Sequence, residues 1–247
     1  MKILVCISKV PDTTTKISFD ESKTKLNTPN VQWIVNPSDE WYALVRALEL
    51  QEANAGSTVT LITVGGVDTE PVIRKALAIG GDSAVRIDLE PTDSFQVADA
   101  IASYAKDQGF DLILTGKETI DGNSSVTGAM IAELLDLPYI TLANKLDIEG
   151  NGVKVERESE YGDQIIKASF PLVVSAAKGM ADARIPNMRG IMAARTKPLT
   201  VVAATATTPL TSIKSYVLNP GRTTCKMISE DNLDELVSLL HTEAKVI

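Results

Sequence analysis

Short apolar runs, each about the length of a β-strand, alternate along the first 135 positions with segments patterned for helices. Few folds accept that order. A strand, a helix and a second strand make a βαβ unit, and repeated units build a mostly parallel sheet with helices on both faces, an α/β fold. Ile3 to Ile7 is apolar without interruption, as a strand covered on both faces must be. Val59 to Val64, Ala84 to Leu89 and Asp111 to Thr115 follow as strands. Between them, Asn36 is expected as a helix N-cap with Pro37 at the first helical position, Asp39 and Glu40 at the positive end of the dipole, and Trp41, Leu44, Val45 and Leu48 on one face. Pro71 to Ile79 is a helix stopped by Gly80 and Gly81, and Phe95 to Lys106 a helix with Val97, Ile101 and Tyr104 inward. A further helix is expected from Ser124 to Leu135, with Thr127, Met130, Ile131 and Leu134 aligned, and Lys16–Phe19 with Val31–Val35 reads as a hairpin.

After Pro138 the pattern changes. Val153 to Glu158 and Gln164 to Ser169 alternate, Leu172 to Ala176 is apolar, and antiparallel strands extending the sheet are expected there. The Thr- and Ala-rich stretch Ala203 to Pro209 marks a boundary, giving an α/β domain over 1–205 and a C-terminal arm over 206–247. The arm ends in an amphipathic helix whose Leu233, Leu236, Val237 and Leu240 need a surface to bury them.

Several function classes drop out. A net charge of -8 without a concentrated basic face argues against nucleic acid. Cys6 and Cys225 stand far apart with no ligand spacing around either, so neither a disulfide scaffold nor a metal site is expected. The start lacks the length and cleavage site of a signal peptide, and no apolar run approaches the roughly 20 residues of a membrane span. A reducing, cytoplasmic compartment is the expectation. His241 is the sole histidine, explained as a helix C-terminal charge, so no Ser-His-Asp triad can be assembled and no catalytic residue is named.

The segment Gly116-Lys117-Glu118-Thr119-Ile120-Asp121-Gly122-Asn123-Ser124-Ser125-Val126-Thr127-Gly128 follows a buried strand and leads into a helix. Glycines, hydroxyls and helix N-terminal N–H groups there make an anion cradle outside the carboxyl ends of strands. An ordinary βα loop built of turn residues has the same composition, and neither a Walker A nor a Gly-x-Gly-x-x-Gly sequence is present. Two other loops reach the same edge by alternation, one holding Ser8 to Asp12 and one following Val64.

Lys9-Val10-Pro11-Asp12, Asn36-Pro37-Ser38-Asp39, the Gly116 to Gly128 loop, Val153 to Glu158 and Pro186 to Lys197 occur in the order and spacing of electron transfer flavoprotein beta subunits, which the chain resembles over nearly its whole length. The resemblance implies a fold like that of the adenine nucleotide alpha hydrolases, with AMP held by Cys6, by Asn36, Pro37, Ser38 and Asp39, by Val64, and by Gly116, Lys117, Glu118, Thr119, Ile120, Asp121, Gly122, Asn123, Ser124, Ser125, Val126 and Thr127. Many relatives have Gln where this chain has Val126 and Asp where it has Asn123, and some have Tyr where it has Thr13. The redox-active FAD is implied to sit mainly in a larger alpha subunit, with the loop after Asp12 facing its ring.

Glu158 matches a carboxylate that pairs with an Arg of the partner; as a plain residue it is a solvated position in a charged strand. Gly179 to Met192 resembles the loop that docks on dehydrogenases, with Met188 where the family inserts a Leu; Met180 and Met192 read as core fillers. Leu236 and Leu240 are expected to pack on the alpha subunit. The implied function is an electron carrier, not an enzyme by itself, taking electrons from flavin dehydrogenases such as acyl-CoA dehydrogenases and passing them to a quinone reductase without inserting into the membrane. Two alternatives stay open: a bifurcating relative with FAD in the beta-subunit site, and a stand-alone nucleotide-binding module of the universal stress type.

Overall fold

The computed structural model describes residues 1–221 and 224–247. In chain order its elements are β1 (Lys2–Cys6), β2 (Lys9–Pro11), β3 (Trp33–Val35), α1 (Asp39–Ala53), β4 (Thr58–Val64), α2 (Glu70–Ile79), β5 (Ser83–Asp88), α3 (Ser94–Ala105), β6 (Leu112–Gly116), α4 (Thr127–Leu135), β7 (Tyr139–Glu149), β8 (Gly152–Ser159), β9 (Gly162–Ser169), β10 (Leu172–Ala176), α5 (Met188–Ala194), β11 (Leu199–Ala203) and α6 (Leu233–Leu239). Two compact units result: Met1–Ile17 with Asn27–Lys214, and Ser18–Leu26 with Ser215–Ile247.

The first unit is built on a nine-stranded sheet in the order β11-β5-β4-β1-β6-β10-β7-β8-β9. Strands β11 through β7 in that order run parallel, and β8 and β9 continue the sheet antiparallel. The two-residue period of each central strand divides its side chains between two cores. Ile3, Val5 and Ile7 with Leu112, Leu114, Leu172 and Val174 pack against Leu44, Leu48, Ile73 and Leu77 of α1 and α2. Leu4 and Cys6 with Ile113 and Val173 pack against Ala98, Ile101, Ile131 and Ala132 of α3 and α4. Continuous apolar runs in the sequence are therefore strands with a helix layer on each side.

Topology fixes where a ligand can enter. From β1 the chain moves outward through β4 to β5, then returns through α3 to place β6 on the other side of β1. The order reverses between β1 and β6, the kind of switch point outside whose carboxyl ends open α/β sheets bind ligands.

Several sequence expectations need correction. Val31–Val35 does not pair with Lys16–Phe19: Trp33–Val35 pairs antiparallel with Lys9–Pro11, and Phe19 bridges Leu26 instead. Leu172–Ala176 is neither antiparallel nor peripheral; it lies parallel between β6 and β7, fully buried, which is why it is the most apolar run of its half. Leu134 is exposed and the helix holding it begins at Thr127. Three elements left no clear pattern: β7, whose 11 residues bend through a bulge near Leu142 at φ 60, the seven-residue α5, and the edge strand β11.

In the second unit the Phe19 and Tyr216 rings stack with centroids 4.6 Å apart, and the Tyr216 amide donates to the Lys23 carbonyl at 2.7 Å. None of the residues of α6 is buried. A π-helical turn over Leu240–Ala244 follows it.

Candidate functional site

The loops at the β1–β6 switch are tied by side chains that the sequence places far apart. Asn36 is fully buried, and it is not the helix cap its position suggested. Its amide nitrogen donates to the Glu118 carbonyl at 2.9 Å, its oxygen accepts the Ile120 amide at 3.0 Å, and its own backbone amide donates to the Ser8 carbonyl at 3.1 Å. One residue thus holds the loop after β1 and the loop after β6 together. With Asn36 so committed, the N-cap passes to Ser38, at φ 63 and ψ -100 with no side-chain cap bond. That backbone costs on the order of 1–3 kcal/mol, a strain that the surrounding contacts must hold.

Glu40, in the first turn of α1, reaches back beneath this clamp. Its Oε2 accepts the Ser8 amide at 2.6 Å. Gly116 leaves room for it: a methyl group there would meet Glu40 Cγ at 2.8 Å, the Glu40 nitrogen at 3.0 Å and Asp39 Cβ at 3.1 Å. Burial drives the Glu40 carboxyl up to about 8 against the Ser8 hydrogen bonds, and the charges of Asp121 and Asp39 push the same way. Burial also lifts Asp39, countered by the Lys117 charge, and it lifts the Cys6 thiol far enough to keep it neutral.

Beyond the clamp the loop turns outward. The Gly122 amide donates to Thr119 Oγ1 at 3.3 Å and the Asn123 amide to the Thr119 carbonyl at 2.9 Å, closing a turn. Asn123 and Ser125 then take left-handed conformations, at φ 47 and 54. Among the described residues the amides of Ser124, Ser125 and Val126 donate to nothing in the protein, and α4 starts at Thr127 without a side-chain cap. Successive unpaired N–H groups around a left-handed residue, running into a helix N-terminus, form a nest suited to an anion. Side chains add little positive charge there. Lys117 is held by Glu118 at 3.0 Å, and Ser125 Oγ donates to the same carboxylate at 2.6 Å, which lowers Glu118. An anion seated there would be met by backbone donors.

The expected site residues fall into separate groups. Cys6, Asn36, Pro37, Asp39 and Gly116 to Ile120 gather at the switch, with Val64 at the end of the neighbouring strand β4, Asp121 to Ser125 exposed on the rim, and Val126 and Thr127 half-buried. Ser94 Oγ, at the start of α3, lies 3.2 Å from Ser124 Oγ. Glu158 is exposed on β8, opposite Asp163 of β9. Met188 opens α5 and is 72% exposed, its helix capped by Asn187, whose side chain accepts the Gly190 amide at 2.8 Å. Behind α5, Pro71, Arg74, Ala78, Pro186, Ile191 and Arg195 line a cavity of about 330 Å³, whose Arg74 donates to the carbonyls of Ala194 and Lys197. Met180 is buried, while Met192 is exposed and fills no core gap. Leu236 is exposed and Leu240 half-buried in the second unit. Glu40 was missed as a site partner, and of Ser8 only its loop was placed at this edge; the only signal for Glu40 was an acidic first turn, which reads equally well as a dipole effect. No group of metal-ligating residues occurs among the described residues, and no described helix is long and apolar enough to cross a membrane.

Residues 24–207 match the family described as the electron transfer flavoprotein domain. The chain is 38% identical to the electron transfer flavoprotein subunit beta of Bacillus subtilis, with both chains covered completely. It is 32% identical to the human subunit of the same name over 81% of this chain and 80% of that one. It is also 32% identical to subunit CarD of the caffeyl-CoA reductase-Etf complex of Acetobacterium woodii, over 81% and 78%.

Proposed function

The chain belongs to the electron transfer flavoprotein family, among its beta subunits, and from that premise we propose that it binds AMP at the β1–β6 switch and, with an alpha subunit carrying FAD, forms a heterodimeric electron carrier. The observation behind the nucleotide is the unpaired amide run Ser124 to Val126 at the start of α4, held in place from below by Asn36. In this reading AMP braces the loops, while the flavin of the partner accepts and releases the electrons.

The chain's own work is positional. Asn36 and Glu40 fix the loops after β1 and β6, and the segment after Asp12 faces the partner's flavin. Glu158 pairs with a basic residue of the alpha subunit, and Leu236 and Leu240 of the arm bury their apolar surface on it. Met188 enters an apolar pocket of a flavin dehydrogenase, an acyl-CoA dehydrogenase being the expected type, and a quinone reductase takes the electrons onward. The carrier works in the cytoplasm and performs no catalysis without these partners.

The test is the cofactor content of the purified heterodimer after denaturation. One FAD and one AMP support this reading. Two FAD and no AMP favour the second reading, a bifurcating complex with FAD in this chain's site, for which the similarity to the caffeyl-CoA reductase-Etf subunit speaks. A monomer with no affinity for any flavoprotein points to a stand-alone nucleotide-binding module and overturns both.

A further inference from the structure

Glu40 is the second residue of α1 and only 4% of it is exposed. Its carboxyl group lies in the fork between the ends of β1 and β6, with Oε2 on the Ser8 amide and Cγ against Gly116. Among the described residues only Ser8, through its amide and its side chain, hydrogen-bonds to this carboxyl, and no residue besides Ser8 reaches the other oxygen, Oε1. Besides Ser8, the groups facing this carboxyl are Asp39 from its own helix, Asp121 from the loop after β6, and the neutral thiol of Cys6 from β1. No described cation is paired with it, since Lys117 is held by Glu118. Burial among negative charges, opposed only by the hydrogen bonds from Ser8, favours the neutral acid.

A nucleotide seated at this edge strengthens that preference twice. It covers the remaining opening and strips the last solvation from a charged carboxylate, and its phosphate adds negative charge on the loop that carries Asp121. We propose that Glu40 takes up a proton when an adenine nucleotide binds, so that its neutral carboxyl, anchored through Oε2 to the Ser8 amide, presents Oε1–H to the nucleotide as a hydrogen-bond donor. This role rests on the nucleotide reading above and deepens it: the site recognises an acceptor atom of the nucleoside, and binding is linked to protonation of one named side chain.

The experiment is calorimetric titration of AMP into the native heterodimer freed of nucleotide, in pairs of buffers with different ionisation enthalpies. At pH 8 the phosphate is already fully ionised, because its second pKa is about 6. The wild type should take up about half a proton per AMP at pH 8 and approach one at pH 9, with affinity falling by as much as about tenfold per pH unit above 8. Glu40→Gln should bind AMP without uptake and with nearly constant affinity across that range. AMP binding without uptake in the wild type, proton release, or uptake that persists in Glu40→Gln overturns the role of Glu40 and leaves the nucleotide reading standing. Absence of AMP binding at every pH removes both. Should Glu40→Gln fail to assemble, Asp121→Asn carries the test: with one negative neighbour gone, the uptake profile moves to lower pH, and an unmoved profile overturns the proposal.

Discussion

Ile120 is anchored to Asn36, 84 positions earlier in the chain: its amide donates to Asn36 Oδ1 at 3.0 Å, and Asn36 Nδ2 donates in turn to the Glu118 carbonyl at 2.9 Å. A side-chain amide with one donor and one acceptor satisfied by the same loop reads that loop's conformation, and no other residue type of this size supplies both. Full burial makes the pair costly to break, because whichever partner is left behind loses its hydrogen bond away from water.

Asn36→Asp keeps the acceptor for Ile120 but turns the donor into a second acceptor facing the Glu118 carbonyl, in a neighbourhood that already holds Glu40 and Asp121. Asn36→Ala removes both bonds and leaves a void. Each should destabilise the chain by roughly 2–4 kcal/mol and lower AMP affinity at least tenfold. The aspartate variant should lose increasingly more nucleotide than the alanine variant as pH rises, because its buried carboxyl gains charge beside Glu40 and Asp121. Chemical denaturation and AMP titration measure the two effects; equal AMP affinity in all three proteins would show that the clamp does not shape the site.

Gly116 and Gly128 bracket the same loop but tolerate a methyl group differently. At Gly116 it meets the Glu40 nitrogen, a backbone atom of α1 that cannot turn aside, together with Cγ of the same residue. At Gly128 it meets only side-chain atoms, Thr115 Oγ1 at 2.8 Å and Tyr139 Oη at 3.0 Å. Gly116→Ala should therefore cost about 1–3 kcal/mol and weaken nucleotide binding. Gly128→Ala should cost less, since Thr115 Oγ1 is buried without a hydrogen bond and loses nothing by rotating. Thermal unfolding of the two variants ranks them, and the reverse order would contradict the packing at α1.

The layers of this fold were legible because burial on both faces leaves a mark in composition. Ile3 to Ile7 had to be apolar throughout, and Gly80 and Gly81 had to stop a helix. What stayed hidden depends on the far side of the chain. Nothing local separates Leu172–Ala176 as a central parallel strand from an edge strand, because its neighbours β6 and β7 come from elsewhere in the sequence. Asn36 before Pro37 carries every local mark of an N-cap, and a tertiary hydrogen bond to residue 120 outcompeted that role. Glycines and hydroxyls marked the Gly116 loop as a turn that could cradle an anion, whereas Glu40 gave no sign of burial, since an acid in a first helical turn is equally at home in water.

Glu40 also gives stability a pH dependence of unusual sign. Its folded value, about 8, is raised above the ordinary 4.5, so between those values the folded chain binds more protons than the unfolded one. The stabilisation is complete below pH 4.5 and is lost as pH rises through 8, an effect on the order of 5 kcal/mol. Carboxylates that the fold lowers, such as Asp93 and Glu118, act in the opposite direction and at lower pH. The difference between nucleotide-free wild type and Glu40→Gln isolates the term: denaturation midpoints of the wild type should fall relative to the variant from pH 5 to pH 8. Parallel curves would mean that Glu40 is charged in the folded chain.

Two apolar surfaces should separate by what they bind. Met188 stands 72% exposed at the start of α5, and that helix keeps its place through the Asn187 cap and the Arg74 hydrogen bonds to Ala194 and Lys197, none of which involves the Met188 side chain. Met188→Ala should therefore change stability by no more than about 0.5 kcal/mol. It should leave AMP and FAD content intact and slow electron acceptance from a dehydrogenase at limiting carrier, because truncating an apolar anchor typically costs an interface of this kind 1 kcal/mol or more, about fivefold or greater in affinity. None of the residues of α6 is buried, so a Leu236→Asp, Leu240→Asp double variant costs the α/β unit little but puts charge on a stripe that, in the proposed reading, packs on the alpha subunit. That variant should lose the alpha subunit in size-exclusion chromatography while still binding AMP. Assembly without change would assign the stripe to some other contact, and dissociation of the heterodimer by Met188→Ala would show that the two surfaces are one.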